Sequence, residues 1–218
     1  MFPLKDANPR HGPAFVTWAL LAVNIAVFAW SAGAGERVFF DYGFIPRLFF
    51  SEPLGEWSRL LSSMFLHGNL VHVAGNMFFL WVFGDNIEDR FGHLPFLIFY
   101  LLGGAVAAIM HGLFEASSPV PMVGASGAVS AVLGAYIVLF PGQRVLTFVP
   151  PFFLLWLPAW FYLGYWAFIQ LFQGATGLFA GAASQGGVAW WAHVGGFVFG
   201  MLLVRRLAKP PPYLSSRR

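Results

Sequence analysis

The sequence has no cysteine and little charge, since charged residues make up only 10% of its 218 positions. Without cysteine, the chain can form no disulfide bond, thiolate metal site or thiol nucleophile. An average soluble domain carries about 25% charged residues, whereas here hydrophobic types reach 58% and aromatic types 19%. The 12 basic residues are scattered except at the C-terminus, which argues against a nucleic-acid partner. This composition is typical of a protein whose main solvent is a lipid bilayer.

Six apolar segments approach the length of a bilayer span, which is roughly 20 residues. They predict an all-α fold, a polytopic membrane bundle of six transmembrane helices that forms one domain over residues 1–218. The predicted spans lie at about 14–32, 70–87, 94–114, 125–141, 151–173 and 188–204. The first span has an alternative interpretation as a signal peptide, because Lys5 and Arg10 precede it. Its apolar stretch is longer than the apolar region of a typical signal peptide, which has about 7–15 residues, and this favours a retained helix.

The basic residues give the predicted bundle an orientation. With six spans both termini lie on one side, and the segments on that side hold nine basic residues against three on the other. Because basic residues favour the cytoplasmic side, we expect a multi-pass protein of the plasma membrane with its N-terminus and C-terminus cytoplasmic and a basic cytoplasmic tail at 205–218. The nine are Lys5, Arg10, Arg90, Arg144, Arg205, Arg206, Lys209, Arg217 and Arg218, and the three are Arg37, Arg47 and Arg59.

Polar side chains lie near the outer ends of the second, fourth and sixth predicted spans, which all run in the same direction. His72 and Asn76 share one face of the second span, one turn apart. Ser126 opens the fourth span, and His193 lies near the start of the sixth. A polar group in lipid is unfavourable unless it has a partner. Polar groups at one depth on three helices therefore predict a common site.

Small residues suggest how this site is assembled. Ser126, Ser130 and Gly134 form a stripe at helical spacing on the fourth span, and Ala192, Gly196 and Gly200 form another on the sixth. Such stripes let two helix backbones approach closely, and a close crossing would bring Ser126 near His193.

The chemistry of this group of residues is that of a serine nucleophile. A serine hydroxyl reacts once a base takes its proton, and His193 is the candidate base for Ser126. The backbone N–H groups at a helix start, with the side chains of His72 and Asn76, are candidate donors to an oxyanion. We expect a dyad and not a triad, because the sequence has no carboxylate at the matching depth.

Other interpretations of the histidines stay open. His67, His93 and His111 are each typical of hydrogen-bonded packing residues in a membrane helix or its flanks. A bis-histidine haem protein would use two of His72, His111 and His193. A proton-coupled transporter would use His193 as a relay, but the missing carboxylate at mid-membrane depth disfavours it.

Five short motifs occur in order over about residues 57–200. With them the chain resembles the rhomboid intramembrane serine proteases, and five motifs in sequence are far more specific than any one of them. The motifs are Trp57-x-Arg59 with Phe65-x-His67, His72-x-x-x-Asn76, Gly84 with Glu88-x-Arg90-x-Gly92, Gly124-Ala125-Ser126-Gly127, and Ala192-His193-Val194-Gly195-Gly196.

The resemblance implies roles for the same residues. Ser126 would be the nucleophile and His193 the general base and acid, with His72, Asn76 and the Ser126 backbone N–H as the oxyanion site. It implies a six-helix core that cleaves transmembrane segments of single-pass membrane proteins near the outer face. Substrates would enter past the fifth span and a flap at 173–187, and no metal or cofactor is implied.

One position departs from the family pattern. Some rhomboids carry an aromatic ring one turn after the serine, packed on the catalytic histidine, and this sequence has Ser130 there. The group that orients His193 is therefore open, with Trp190 and Trp191 as candidates.

Overall fold

Helices make up most of the protein in the computed structural model, which describes residues 1–179 and 188–208. Helices overlap all six predicted span positions, and the one at the fourth position, Ser126–Leu139, is a shorter apolar helix of 14 residues. Among the described residues, two helices, Phe15–Ala34 and His93–Phe114, are both long and apolar enough to cross a membrane. In chain order the helices are α1 (Phe15–Ala34), α2 (Arg37–Tyr42), α3 (Pro46–Ser51), α4 (Pro53–Glu56), α5 (Arg59–Ser62), α6 (Leu70–Phe91), α7 (His93–Phe114), α8 (Ser126–Leu139), α9 (Ala159–Phe179) and α10 (Trp190–Leu207), and the strands are β1 (Phe2–Asp6), β2 (Arg144–Val149) and β3 (Phe153–Pro158).

The prediction of an all-α fold is wrong in one region, between α8 and α9. The fifth span is predicted to be helical from residue 151, but Phe153–Pro158 forms β3 and α9 begins only at Ala159. The three strands form one antiparallel sheet in the order β1-β2-β3. A short apolar run has no periodicity that separates a buried strand from a helix. Pro158 marks the boundary, because proline lacks a backbone N–H and is tolerated next to the first turn of a helix.

The predicted ends of two segments also differ from the structure. The connection predicted to start at residue 173 is helical up to Phe179, and Arg205 and Arg206, predicted for the tail, lie in the last turn of α10. The rest of the predicted flap, residues 180–187, and of the predicted tail, residues 209–218, lies outside the described residues.

Helix α8 lies in the middle of the bundle, where the ten residues from 127 to 136 are all buried. A helix that is apolar on every side is stable when other helices surround it. Its crossing with α10 is close, because a Cβ atom on Gly134 would collide with the carbonyl oxygen of Phe197, and one on Gly196 with that of Gly127. This confirms that the two predicted stripes of small residues face each other.

The segment between α1 and α6 braces the start of α8. Phe44 and Met122 exchange backbone hydrogen bonds of 3.0 and 2.7 Å, and the amide of Gly124 donates to the carbonyl of Ser63 at 2.9 Å. Phe44 is fully buried. The chain is therefore held on both sides just before it enters α8.

The C-terminal end of α6 is tied to α1 and to β1. Glu88 accepts hydrogen bonds from the amide and the hydroxyl of Thr17, both at 2.7 Å, and a carboxylate is favourable at the N-terminus of a helix. The carboxylate of Asp6 accepts a hydrogen bond from the side-chain amide of Asn86 at 2.8 Å and another from the hydroxyl of Tyr136 at 2.6 Å. We call this end of the bundle the sheet end. Ser126 and His72 lie near the starts of α8 and α6, away from the sheet end.

Candidate active site

Ser126 is the first residue of α8, and Gly124 allows the turn that precedes it. Gly124 has a φ angle of 126°, a conformation that residues with a Cβ atom rarely adopt. A Cβ atom there would also stand 2.6 Å from the Nε2 atom of His72. The first N–H groups of a helix have no acceptor within the helix. Ser126 therefore lies next to free backbone donors and close to His72.

A cavity of about 580 Å³ brings the four predicted site residues together. Ser126 reaches it from α8, His193 from α10, and His72 and Asn76 from α6. His72 and His193 are partly exposed, whereas Asn76 is buried. The lining of the cavity is mostly apolar, so these four side chains form a polar group within an otherwise apolar and partly open cavity.

His67 holds Asn76 in the wall of this cavity. The side-chain amide of Asn76 donates to Nε2 of His67 at 2.9 Å, and the backbone amide of Ala125 approaches the same atom at 3.5 Å. The rings of His67 and His72 meet edge to face with centroids 5.1 Å apart. Asn76 has two amide hydrogens, and this bond uses one of them. Burial lowers the pKa of His67 to about 4, so the ring is neutral and accepts these bonds.

His193 is held by two side chains of α9 and by Trp190 of its own helix, α10. Its Nδ1 atom lies 2.7 Å from Oε1 of Gln170. The ring of Trp166 lies against it with centroids 5.9 Å apart, and that of Trp190 meets it edge-on at 6.2 Å. Of the two predicted candidates, Trp190 thus contacts the histidine ring. Trp191 stacks instead on Phe114, with centroids 3.8 Å apart and the rings nearly parallel.

Ser130 does not replace the missing aromatic ring. Its hydroxyl donates to the backbone carbonyl of Ser126, one turn earlier in α8, at 2.6 Å. A serine that bonds to its own helix in this way is satisfied locally. The orientation of His193 therefore depends on Gln170 and Trp166 of α9 and on Trp190 of α10.

A comparison with protein families agrees with this geometry. The family model described as "Rhomboid domain" matches residues 54–210. The chain belongs to the rhomboid family. The match includes all five motifs and α6 to α10, from which the cavity is built.

Several named rhomboids are similar to this chain. The mitochondrial Rhomboid protein 1 of Saccharomyces cerevisiae is 27% identical over 211 residues, which cover 94% of this chain and 57% of that protein. The Rhomboid protease GluP of Bacillus subtilis is 41% identical over 90 residues, 41% of this chain and 17% of that protein. The human mitochondrial presenilin-associated rhomboid-like protein is 32% identical over 151 residues, 66% of this chain and 38% of that protein. The chain thus spans little more than half the length of the longest-matching of these three relatives, and less of the other two.

Sequence reasoning missed two residues of this rhomboid site. The sequence pattern names carboxylates and tryptophans as the partners to look for beside His193 and does not single out Gln170, although an amide within an apolar span is itself a signal. It predicts His67 as a packing residue, because the bond to Asn76 depends on a loop position that helical spacing does not describe.

Proposed function

We propose that this rhomboid is an intramembrane serine endopeptidase that cleaves transmembrane segments of single-pass membrane proteins near the outer face. The observation that carries the proposal is that Ser126 and His193, on two closely crossing helices, line one cavity with His72 and Asn76. The name of the Bacillus subtilis relative, a rhomboid protease, supports the same class of reaction.

In the first half of the reaction, Oγ of Ser126 attacks the carbonyl carbon of the scissile peptide bond. His193 takes the hydroxyl proton, because a serine hydroxyl is a weak nucleophile at neutral pH until a base removes it. The tetrahedral intermediate then collapses, the C–N bond breaks, and His193 returns the proton to the leaving amine. Water hydrolyses the resulting acyl-enzyme by the reverse sequence of proton transfers.

The negative charge of the intermediate needs donors on the far side of the carbonyl. The backbone N–H of Ser126 has no acceptor within α8, and the positive end of the helix dipole lies at the same point. Asn76 keeps one amide hydrogen after its bond to His67, and the imidazole of His72 stands beside Gly124. Loss of one such donor typically slows acyl transfer by about 100- to 1000-fold.

The membrane arrangement is part of the proposal. The six helices at the predicted span positions would each cross the bilayer, with the short α8 surrounded by the others, in one domain over residues 1–218. The distribution of basic residues supports cytoplasmic termini in the plasma membrane of the source cell. Two of the similar proteins are named as mitochondrial, so an organelle membrane is the alternative location. The reaction as written needs no metal or cofactor.

The haem alternative has less support from the geometry. His72 and His193 both line the cavity, but they share it with Ser126 and Asn76, and its described lining does not include His111. Visible absorption of the purified protein with added haemin decides this point, since a bis-histidine haem gives a strong Soret band.

The test of the proposed function uses the full chain in liposomes with a single-pass transmembrane reporter and a fluorophosphonate probe. We expect cleavage and probe labelling by the wild type, and loss of both in Ser126→Ala and in His193→Ala. Ser130→Ala is the matched control on the same helix: it loses one hydrogen bond worth about 1 kcal/mol and keeps both activities. Cleavage that persists in Ser126→Ala would overturn the proposal.

A further inference from the structure

Gln170 is a buried amide in the middle of α9, and both ends of its side chain are engaged. Only 6% of the residue is exposed. Its Nε2 atom donates to the backbone carbonyl of Trp166, one turn earlier, at 3.3 Å, and its Oε1 atom faces Nδ1 of His193 at 2.7 Å. The bond to Trp166 identifies which end of the amide is nitrogen, because a carbonyl accepts only from N–H. The oxygen is therefore the end that meets His193.

This contact determines the protonation pattern of a neutral His193. An amide oxygen can only accept, so Nδ1 must carry the hydrogen and donate it to Gln170. The other nitrogen, Nε2, is then the unprotonated one, which is the form that a general base for Ser126 requires. We propose that Gln170 is a positioning residue that sets the tautomer and the ring orientation of His193, in the place that an aspartate takes in a serine triad. The proposal rests on the proposed function in that His193 is taken as the base.

The neighbouring rings cannot supply the same control. Trp166 and Trp190 lie against the imidazole and restrict its rotation. An indole ring offers only an N–H donor in its plane, so it cannot accept a hydrogen bond from Nδ1. An amide also suits a site within lipid better than a carboxylate, since an ionised side chain there is strongly unfavourable.

The test compares Gln170→Met with Gln173→Met. Methionine has nearly the length of glutamine but no amide oxygen. Gln173 lies on the same helix with an exposed side chain, so its variant controls for the substitution itself. With the reporter in liposomes, we expect Gln170→Met to lower kcat by about 10- to 100-fold and to change KM by less than about twofold. Gln170→Glu should recover kcat to within about threefold of wild type, because a carboxyl group keeps an acceptor oxygen in either protonation state.

A second readout does not depend on cleavage. The ¹⁵N chemical shifts of histidine distinguish hydrogen on Nδ1 from hydrogen on Nε2, and His193→Ala identifies the signal of His193 among the six histidines. We expect the Nδ1–H form in the wild type and in Gln173→Met, and a mixture of tautomers in Gln170→Met. If Gln170→Met does not fold, Gln170→Asn takes its place, since the shorter amide cannot reach Nδ1.

The outcomes separate this proposal from the proposed function. Equal kcat and the same tautomer in Gln170→Met and Gln173→Met would overturn the role of Gln170 while Ser126-dependent cleavage stands. A wild type that cleaves nothing, or cleavage without Ser126, would overturn the function, and the ¹⁵N signal would still decide whether Gln170 sets the tautomer.

A separate observation concerns the sheet. Four consecutive residues of β3, 153 to 156, are each between 44% and 60% exposed, and Phe152 at the hairpin turn is 88% exposed. Because side chains alternate between the two faces of a strand, both faces of this edge strand are apolar and uncovered. In water such an edge strand would promote aggregation.

We infer that the β2–β3 hairpin lies in the lipid interface at the sheet end. The chain passes directly from β3 into Trp160 and Phe161 of α9, which are 58% and 44% exposed, so one apolar surface continues from helix to strand. Lys5 and Arg144, on β1 and β2, are exposed, and basic side chains beside an apolar surface favour a leaflet with anionic headgroups. Trp156 is of the residue type that favours this interface.

The absence of native cysteine makes the test direct. Leu154→Cys carries an environment-sensitive fluorophore in vesicles of phosphatidylcholine and phosphatidylglycerol, and Phe168→Cys, exposed on α9, is the lipid reference. We expect nitroxide-labelled lipids to quench both positions to a similar extent and aqueous iodide to quench neither. Quenching of residue 154 by iodide alone would overturn the inference, and so would oxidative cross-linking of Leu154→Cys into dimers, which would show that a second copy covers the strand.

Discussion

A Cβ atom on residue 124 would stand 2.6 Å from the Nε2 atom of His72, and Gly124 adopts a φ angle of 126°. The two constraints are independent, since one concerns the backbone and the other the space beside the imidazole. Both favour glycine at the residue that turns the chain into α8. The separation between Ser126 and His72 is therefore set by a residue without a side chain.

Gly124→Ala is expected to remove activity as well as stability. The strained backbone costs on the order of 1–3 kcal/mol, and displacement of His72 should lower kcat by about 100-fold. Gly164→Ala on α9 is the control, because no atom lies within 4 Å of its Cβ position and alanine is favoured within a helix by about 0.5–1 kcal/mol. Reporter cleavage and thermal unfolding are measured for both variants. Cleavage by Gly124→Ala at the wild-type rate would show that His72 tolerates the methyl group.

Gly196→Ala should separate α8 from α10. Its methyl group would meet the carbonyl oxygen of Gly127 and lie 3.2 Å from Cβ of Ser130. Overpacking of this kind costs about 1–3 kcal/mol, and the shift of α10 moves His193 away from Ser126. We expect slower labelling by the fluorophosphonate probe along with a lower unfolding temperature. Gly33→Ala, with open space at its Cβ position, should change neither quantity by much, and an unchanged labelling rate in Gly196→Ala would contradict the close-crossing account.

Regular helix geometry explains why four of the cavity residues could be predicted from the sequence. His72 and Asn76 are four residues apart, and Ser126 and His193 lie at the starts of helices that run in the same direction as α6. Spacing and direction then suffice to predict which side chains share a face and an end of the bundle. The facing stripes of glycine were predictable for the same reason.

The remaining features depend on which elements become neighbours. Gln170 reaches His193 across 23 positions of sequence because α9 packs beside α10. His67 reaches Asn76 from the loop that precedes α6. The apolar run of β3 matches a helix as well as a strand until its partner, β2, is known, which is why the helical prediction for residues 153–158 is wrong.

Glu88 should contribute to stability and not directly to catalysis. It is 1% exposed and accepts bonds from the amides of Val16 and Thr17 and from Nδ1 of His93, at 2.9, 2.7 and 2.6 Å. Glu88→Gln keeps one acceptor oxygen and loses the charge, which should destabilise the protein by about 1–3 kcal/mol. Thermal unfolding measures this loss, with exposed Glu36→Gln as the control. Below the lowered unfolding temperature we expect near-wild-type kcat, and a large loss of kcat there would assign Glu88 a role in the site.

Acidification should lower the free energy of unfolding through His67, which lies beside Asn76 in the candidate site. Burial, with a smaller contribution from His72, lowers its pKa to about 4. An unfolded histidine has a pKa of about 6.5, so the unfolded chain binds the proton first as the pH falls. The stability from neutral His67 is full above about pH 6.5 and is lost as the pH falls towards 4, by on the order of 2 kcal/mol between about pH 7 and pH 5. His67→Gln, which keeps an acceptor for Asn76, should lose about 2 kcal/mol less stability than the wild type over this pH range in thermal unfolding scans. A loss of the same size in the variant would mean that another group is responsible.

Asp6 should have the opposite effect in the same pH range. Burial raises its pKa to about 6, and the neighbouring Asp85 adds to the shift although the bond from Tyr136 opposes it. Because the unfolded pKa is lower, near 3.8, the folded state binds this proton first and the protein gains stability as the pH falls from about 6 towards 4. Asp6→Asn keeps an acceptor for Tyr136 and removes the titration. Between pH 7 and pH 5 we therefore expect Asp6→Asn to lose more stability than the wild type, and His67→Gln to lose less. If the stability of the two variants changed with pH in the same way, both assignments would be contradicted.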